Sequence, residues 1–134
     1  MKHTWLEVDG LRIHCLTAGE SGPALVLLHG GGTDSASLSW GEVLGPLSAH
    51  HRVFAPDWPG FGQSDKPAIS YTTDYYVHYL QHLLTALGLA RVVLIGLSMG
   101  GGIALNFTLN DPARVEKLVL VDAYYGFKSP ADRW

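Results

Sequence analysis

Two apolar runs without a polar interruption, Ala24 to Leu28 and Val92 to Ile95, constrain this chain more than any other feature. A half-covered strand alternates apolar and polar residues, so runs without alternation describe strands buried on both faces, as in a parallel sheet. Parallel neighbours need helical crossovers between them. The intervening segments supply these: from Thr73 to Leu87 the apolar residues Val77, Leu80, Leu84 and Leu87 recur at helical spacing, with Gly88 placed for a C-terminal cap. Gly101 to Asn110 is apolar on nearly every side, which predicts a central helix, and Pro112 stops it. Ser39 with Glu42 fits a capping box, and Trp40, Val43, Leu44 and Leu47 predict a short helix weakened by Gly41 and Pro46. Arg52 to Pro56 and Lys117 to Asp122 read as further strands. At the start, Leu6 and Val8, the Asp9-Gly10 turn, and Leu11, Ile13 and Cys15 spell a hairpin. The expected fold class is α/β, a mostly parallel sheet with helices on both faces.

In such sheets ligands bind at the carboxyl ends of the strands. Three glycine-rich segments fall there: His29 to Gly32, Asp57 to Gly62, and Gly96 to Gly102. Composition narrows what they could bind. With 134 residues the chain makes one domain, and 47% hydrophobic residues suffice for a core. Nine basic against twelve acidic side chains leave a charge of −3 and no basic stripe, which speaks against a nucleic-acid partner. No apolar run approaches the ~18 residues of a membrane span. The first residues lack a signal-peptide pattern, so a cytoplasmic location is expected. The single cysteine, Cys15, excludes an internal disulfide and reads as a small core residue. Gly100 to Gly102 has no G-x-G-x-x-G register, and no cofactor is implied.

Gly96-Leu97-Ser98-Met99-Gly100 is a G-x-S-x-G pentapeptide set between a buried strand and a buried helix, the context that a nucleophile elbow requires. On that sharp turn Ser98 would project its hydroxyl above the sheet, with the first amides of the helix aimed at the same spot. Acyl transfer also needs donors for the oxyanion of the tetrahedral intermediate. The backbone N–H of Met99 is one, and Gly31, in a loop without side chains, supplies the second.

On these residues the chain resembles the α/β-hydrolase family. His29 to Gly32 is similar to its H-G-G-G oxyanion segment, Asp57 to Ser64 to its D-x-P-G-x-G-x-S loop, and Gly96 to Gly100 to its elbow, in the family's order. The glycine-rich loop and the methionine after the serine resemble the branch of esterases and carbon-carbon bond hydrolases. A serine at the elbow argues against the dehalogenases and epoxide hydrolases of the fold, which place aspartate there. The resemblance implies a serine hydrolase acting on a small ester or other acyl or carbonyl substrate through an acyl-enzyme.

The family's triad runs Ser, then Asp or Glu, then His. All seven histidines, at 3, 14, 29, 50, 51, 78 and 82, precede Ser98. The resemblance therefore implies that residues 1–122 form the N-terminal part of the hydrolase core and 123–134 the start of a cap or linker. The expectation is a truncated form with an incomplete triad and little activity alone. A non-catalytic scaffold or ligand-binding relative is the alternative.

Asp122 falls where some branches carry the triad acid, though a strand-end carboxylate accepting loop amides is the favoured reading. His29 is expected to shape the oxyanion loop rather than act as a base. His78 and His82 have the i,i+4 spacing of metal ligands but lie opposite the apolar stripe, so a solvated face is expected and no metal. His50 and His51 precede a strand, at the wrong edge of the sheet for catalysis. Asp57 and Ser64 are expected to tie their loop together by hydrogen bonds. Tyr124, Tyr125, Phe127 and Trp134 either line a substrate pocket or pack an interface. Ending the sheet at Leu118 to Val121 leaves an apolar edge, which predicts self-association.

Overall fold

A computed structural model describes residues 1–124. Strands β1 (Lys2–Val8) and β2 (Leu11–Ala18) form the opening hairpin, its turn made by Asp9 and Gly10 at φ of 54° and 77°. Strand β3 (Ala24–Leu28) leads through the short helices α1 (Ala36–Trp40) and α2 (Leu44–Leu47) to β4 (Arg52–Pro56). Helix α3 (Thr73–Ala86) connects to β5 (Val92–Leu97), and α4 (Met99–Asn110) with one 3-10 turn, Pro112–Arg114, to β6 (Val115–Val121). The sheet order is β1-β2-β4-β3-β5-β6. β4, β3, β5 and β6 are parallel, while β1 and β2 add an antiparallel edge.

Alternate residues of the central strands feed two cores, one on each face. Val26, Leu28, Val92 and Leu94 pack with Leu80, Leu84, Ile103 and Phe107 of α3 and α4. Leu25, Leu27, Val53 and Val93 pack with Ala36, Trp40 and Leu44 of α1 and α2. Burial on both sides is why these strands carry no polar alternation. The buried stripe of α3 is wider than its predicted spacing, adding Tyr76, Tyr79 and Leu83.

Two sequence expectations need correction. The helix foreseen around Ser39 is split in two, and its cap is Ser35, whose side chain accepts from the Leu38 N–H. Ser39 instead donates its hydroxyl to Asp34, and Glu42 is exposed, so no capping box exists. Strand β6 begins at Val115, two residues before Lys117, because an exposed edge strand shows little apolar patterning. Along that edge Leu118 is partly buried, and Val119, Leu120 and Val121 are exposed. Among the described residues no helix is long and apolar enough to cross a membrane.

Candidate active site

Ser98 stands between the last residue of β5 and the first of α4, with φ 51° and ψ −114°. That backbone region is glycine territory, and a side chain there costs on the order of 1–3 kcal/mol. The Ser98 N–H donates to the Val121 carbonyl, while the Ser98 carbonyl accepts from Gly102 and Tyr124. These bonds fix the bend. Among the described residues no hydrogen bond is made to the Ser98 hydroxyl.

The flanking glycines are required by contact. A methyl on Gly96 would lie 2.5 Å from the Gly100 carbonyl oxygen, inside α4. On Gly100 it would lie 2.3 Å from the Leu28 oxygen and 2.5 Å from that of His29, at the end of β3. The helix therefore sits with its backbone against β3 as well as β5. Gly101 and Gly102 continue the seam against Ala123 and Tyr124.

That close approach brings the His29–Gly32 loop onto the elbow. A methyl on Gly30 would be 3.4 Å from Ser98 Cβ, and one on Gly31 3.4 Å from Met99 Sδ and 3.7 Å from Met99 Cβ. Ser98, Met99 and Gly31 are thus neighbours, from two strand ends.

His29 is fully buried and holds this loop rather than the serine. Its Nε2 accepts from the Trp58 N–H at 3.2 Å, which leaves the proton on Nδ1, donated to the Gly30 carbonyl at 2.7 Å. The Trp58 indole N–H donates back to the His29 carbonyl. Burial holds the imidazole below its ordinary pKa, against the pull of the Gly30 carbonyl, Asp34 and Asp57. A neutral ring with both nitrogens engaged is a structural clamp.

The loop after β4 is organised by Asp57, 2% exposed. Its carboxylate accepts from the Ala36 N–H at 2.8 Å, the Gln63 N–H at 2.9 Å and His14 Nδ1 at 2.8 Å. Ser64 donates to the Asp57 carbonyl and accepts from the His14 N–H. His14 Nε2 in turn meets His3 Nδ1 at 2.8 Å. Asp57 and Ser64 thus tie their loop together as expected, with His14 as a partner from β2 that no local pattern signals.

The remaining candidates fall away from Ser98. His78 and His82 are exposed, and His82 pairs with Asp9 at 2.8 Å. No group of three metal-ligating side chains occurs among the described residues. His50 and His51 precede β4, with His51 bonded to the Leu47 carbonyl. Burial pushes the Cys15 thiol up to about 12, leaving it inert. Asp122 sits beside the elbow at φ 47° and is exposed. Its carboxylate makes no hydrogen bond among the described residues, and the loop beyond Tyr124 lies outside them. Tyr124 is exposed and donates its amide N–H to the Ser98 carbonyl. Tyr125, Phe127 and Trp134 lie outside the described residues.

A strained serine on a strand-to-helix turn, beside a glycine loop from the adjacent strand of a mixed sheet, defines the α/β-hydrolase arrangement. The chain belongs to that family: the model of the alpha/beta hydrolase fold matches residues 23–133. A 2-hydroxy-6-oxo-2,4-heptadienoate hydrolase of Pseudomonas putida is 43% identical over 105 residues, 77% of this chain and 38% of that protein. An uncharacterized protein of Mycobacterium tuberculosis is 41% identical over 116 residues, 87% of this chain and 33% of its own length. The meta-cleavage product hydrolase of Pseudomonas fluorescens IP01 superposes with a TM-score of 0.85 at 32% identity, covering 90% of this chain and 44% of that one. The chain thus spans a third to two fifths of the length of the curated relatives it matches.

Proposed function

We propose that this chain is the nucleophile-bearing part of a serine hydrolase that attacks an ester or other acyl or carbonyl carbon. The observation that carries the reading is Ser98 at positive φ between β5 and α4, with Gly31 against Met99. Ser98 Oγ would add to the carbonyl carbon, and the amides of Gly31 and Met99 would donate to the oxygen as it becomes an anion. Collapse of the tetrahedral intermediate expels the leaving group and leaves an acyl-serine, which water then cleaves. The 6-oxo group named in the substrate of the Pseudomonas putida relative is a carbonyl of the kind this arrangement would polarise.

The Ser98 proton needs an acceptor, and no histidine follows His82 within the 134 residues. The chain by itself is therefore expected to turn over little substrate, as an incomplete triad would. A non-catalytic scaffold that keeps the ligand site is the second reading, which the intact elbow and glycine loop oppose. A histidine encoded beyond two further strand patterns would decide for the enzyme. Labelling tests the nucleophile directly. A fluorophosphonate should mark the chain slowly, and Ser98→Ala should abolish the mark; equal labelling of the variant would remove Ser98 from the reading.

The isolated chain is also proposed to self-associate. No strand pairs with the outer side of β6 among the described residues, and Val119, Leu120 and Val121 are 44%, 41% and 40% exposed along that edge. Sedimentation at micromolar concentration is expected to show species larger than a monomer, and a compact monomer would contradict the proposal.

A further inference from the structure

Two glycines of the loop after β3, Gly30 and Gly31, lie against the elbow, and which of their amides faces the serine depends on what already holds each one. Gly30 is the nearest by geometry, since a methyl on it would touch Ser98 Cβ at 3.4 Å. Its amide is already taken. Asp34 Oδ2 accepts the Gly30 N–H at 2.8 Å, and Oδ1 accepts the Ser35 N–H at 2.8 Å. The Ser39 hydroxyl donates to the same carboxylate at 2.6–2.7 Å. The Asp34 N–H donates to the Gly31 carbonyl, which closes the loop from the other side. Burial alone would raise the Asp34 carboxyl, but the hydrogen bonds from Ser39, Gly30 and Ser35, together with nearby His29, outweigh it and hold the group below its ordinary pKa.

We propose that Asp34 is a positioning residue: by holding the Gly30 amide and the Gly31 carbonyl it withdraws one donor and presents the Gly31 N–H toward Ser98. This rests on the reading of Ser98 as nucleophile. The carboxylate stands 3.3 Å from the same added methyl that reaches Ser98, so one methyl group spans the distance between the two side chains. A free Asp34 charge so close would oppose an oxyanion. The three donors on it, the Gly30 and Ser35 amides and the Ser39 hydroxyl, offset that charge. The sequence signal was the Asp34-Ser35 pair ahead of Ala36, which marks a helix start as well as a loop anchor.

The test compares Asp34→Ala and Asp34→Asn in the full chain, reading fluorophosphonate labelling of Ser98 and the amide proton resonances of Gly30 and Gly31. Asp34→Ala should slow labelling about tenfold or more, because a misplaced donor acts on the transition state. Where an ester substrate is turned over, the loss should fall on kcat with KM little changed. Asp34→Asn keeps an acceptor for Gly30 without the charge and should recover labelling to within about threefold of the unsubstituted protein, a rescue that loss of charge alone would not give. The Gly30 amide proton should move upfield in Asp34→Ala, and formation of the phosphonyl-serine should shift Gly31 rather than Gly30. Unchanged labelling in Asp34→Ala, or an adduct that shifts Gly30, overturns the proposal and leaves Ser98 as nucleophile. No labelling of the unsubstituted chain at Ser98 overturns both.

Discussion

Replacing Gly100 with alanine is expected to leave little folded protein. The new methyl would stand 2.3 Å from the Leu28 oxygen and 2.5 Å from that of His29, both main-chain atoms at the end of β3. Neither can swing aside as a side chain would, so α4 has to back away from the sheet. That movement opens the core around Ile103 and Phe107 and parts Met99 from Gly31. Forced overpacking of this kind is expected to cost more than about 3 kcal/mol, a large share of the roughly 5–15 kcal/mol that holds a domain folded. Gly45, in α2, is the comparison. Beyond its chain neighbours nothing lies within 4 Å of a methyl there, and because the helix-propensity gain is offset by Pro46 crowding a helical residue before it, Gly45→Ala should change stability by less than about 1 kcal/mol. Urea denaturation of the two variants should give widely separated midpoints, and equal midpoints would show that α4 does not approach β3 as described.

The same contact explains why the elbow could be read from the residues and part of its setting could not. Glycine at 96 and 100 is a steric demand written into the chain, and the apolar runs before it announce the strand. Met99 and Gly100, by contrast, lie inside α4 although the periodicity placed the helix start at Gly101. Three successive glycines lower helix propensity, and only the nearness of Leu28, His29, Ala123 and Tyr124 explains their use. Strand β2 misled differently. Its alternation of Leu11, Ile13 and Cys15 suggested one covered face, yet His14 and Leu16 are fully buried too, because β2 lies inside the sheet between β1 and β4. A histidine buried on the second face needs a partner, and that partner is 43 residues away at Asp57. No local pattern links positions so distant. Asp34 was overlooked for the opposite reason: its partners, Gly30, Ser35 and Ser39, are all near in sequence, but the capping signal was assigned to Ser39 and Glu42, whose spacing fits equally well.

Asp57 is accordingly where a single side chain should matter most after the elbow glycines. Asp57→Ala would strand three donors at once: the Ala36 N–H that begins α1, the Gln63 N–H of the loop, and the His14 ring. Breaking one side of a buried pair typically costs about 3–5 kcal/mol, because the partner stays buried without compensation. The loss should reach the site, since the next residue, Trp58, is bonded to His29 and through it to the oxyanion loop. Labelling of Ser98 is therefore expected to fall with stability, although Asp57 lies on a different strand end from the serine. A cycle with His14→Ala separates the pair from the rest of the hub. Removing His14 should cost much less in the Asp57→Ala background than alone, because the ring would have lost its acceptor already, while the amides of Ala36 and Gln63 would keep Asp57→Ala the costlier of the two single changes. Additive losses, or a cost for Asp57→Ala under about 1 kcal/mol by urea denaturation, would mean that water replaces the carboxylate and that the loop is held by the Ser64 hydroxyl and the Trp58 indole instead.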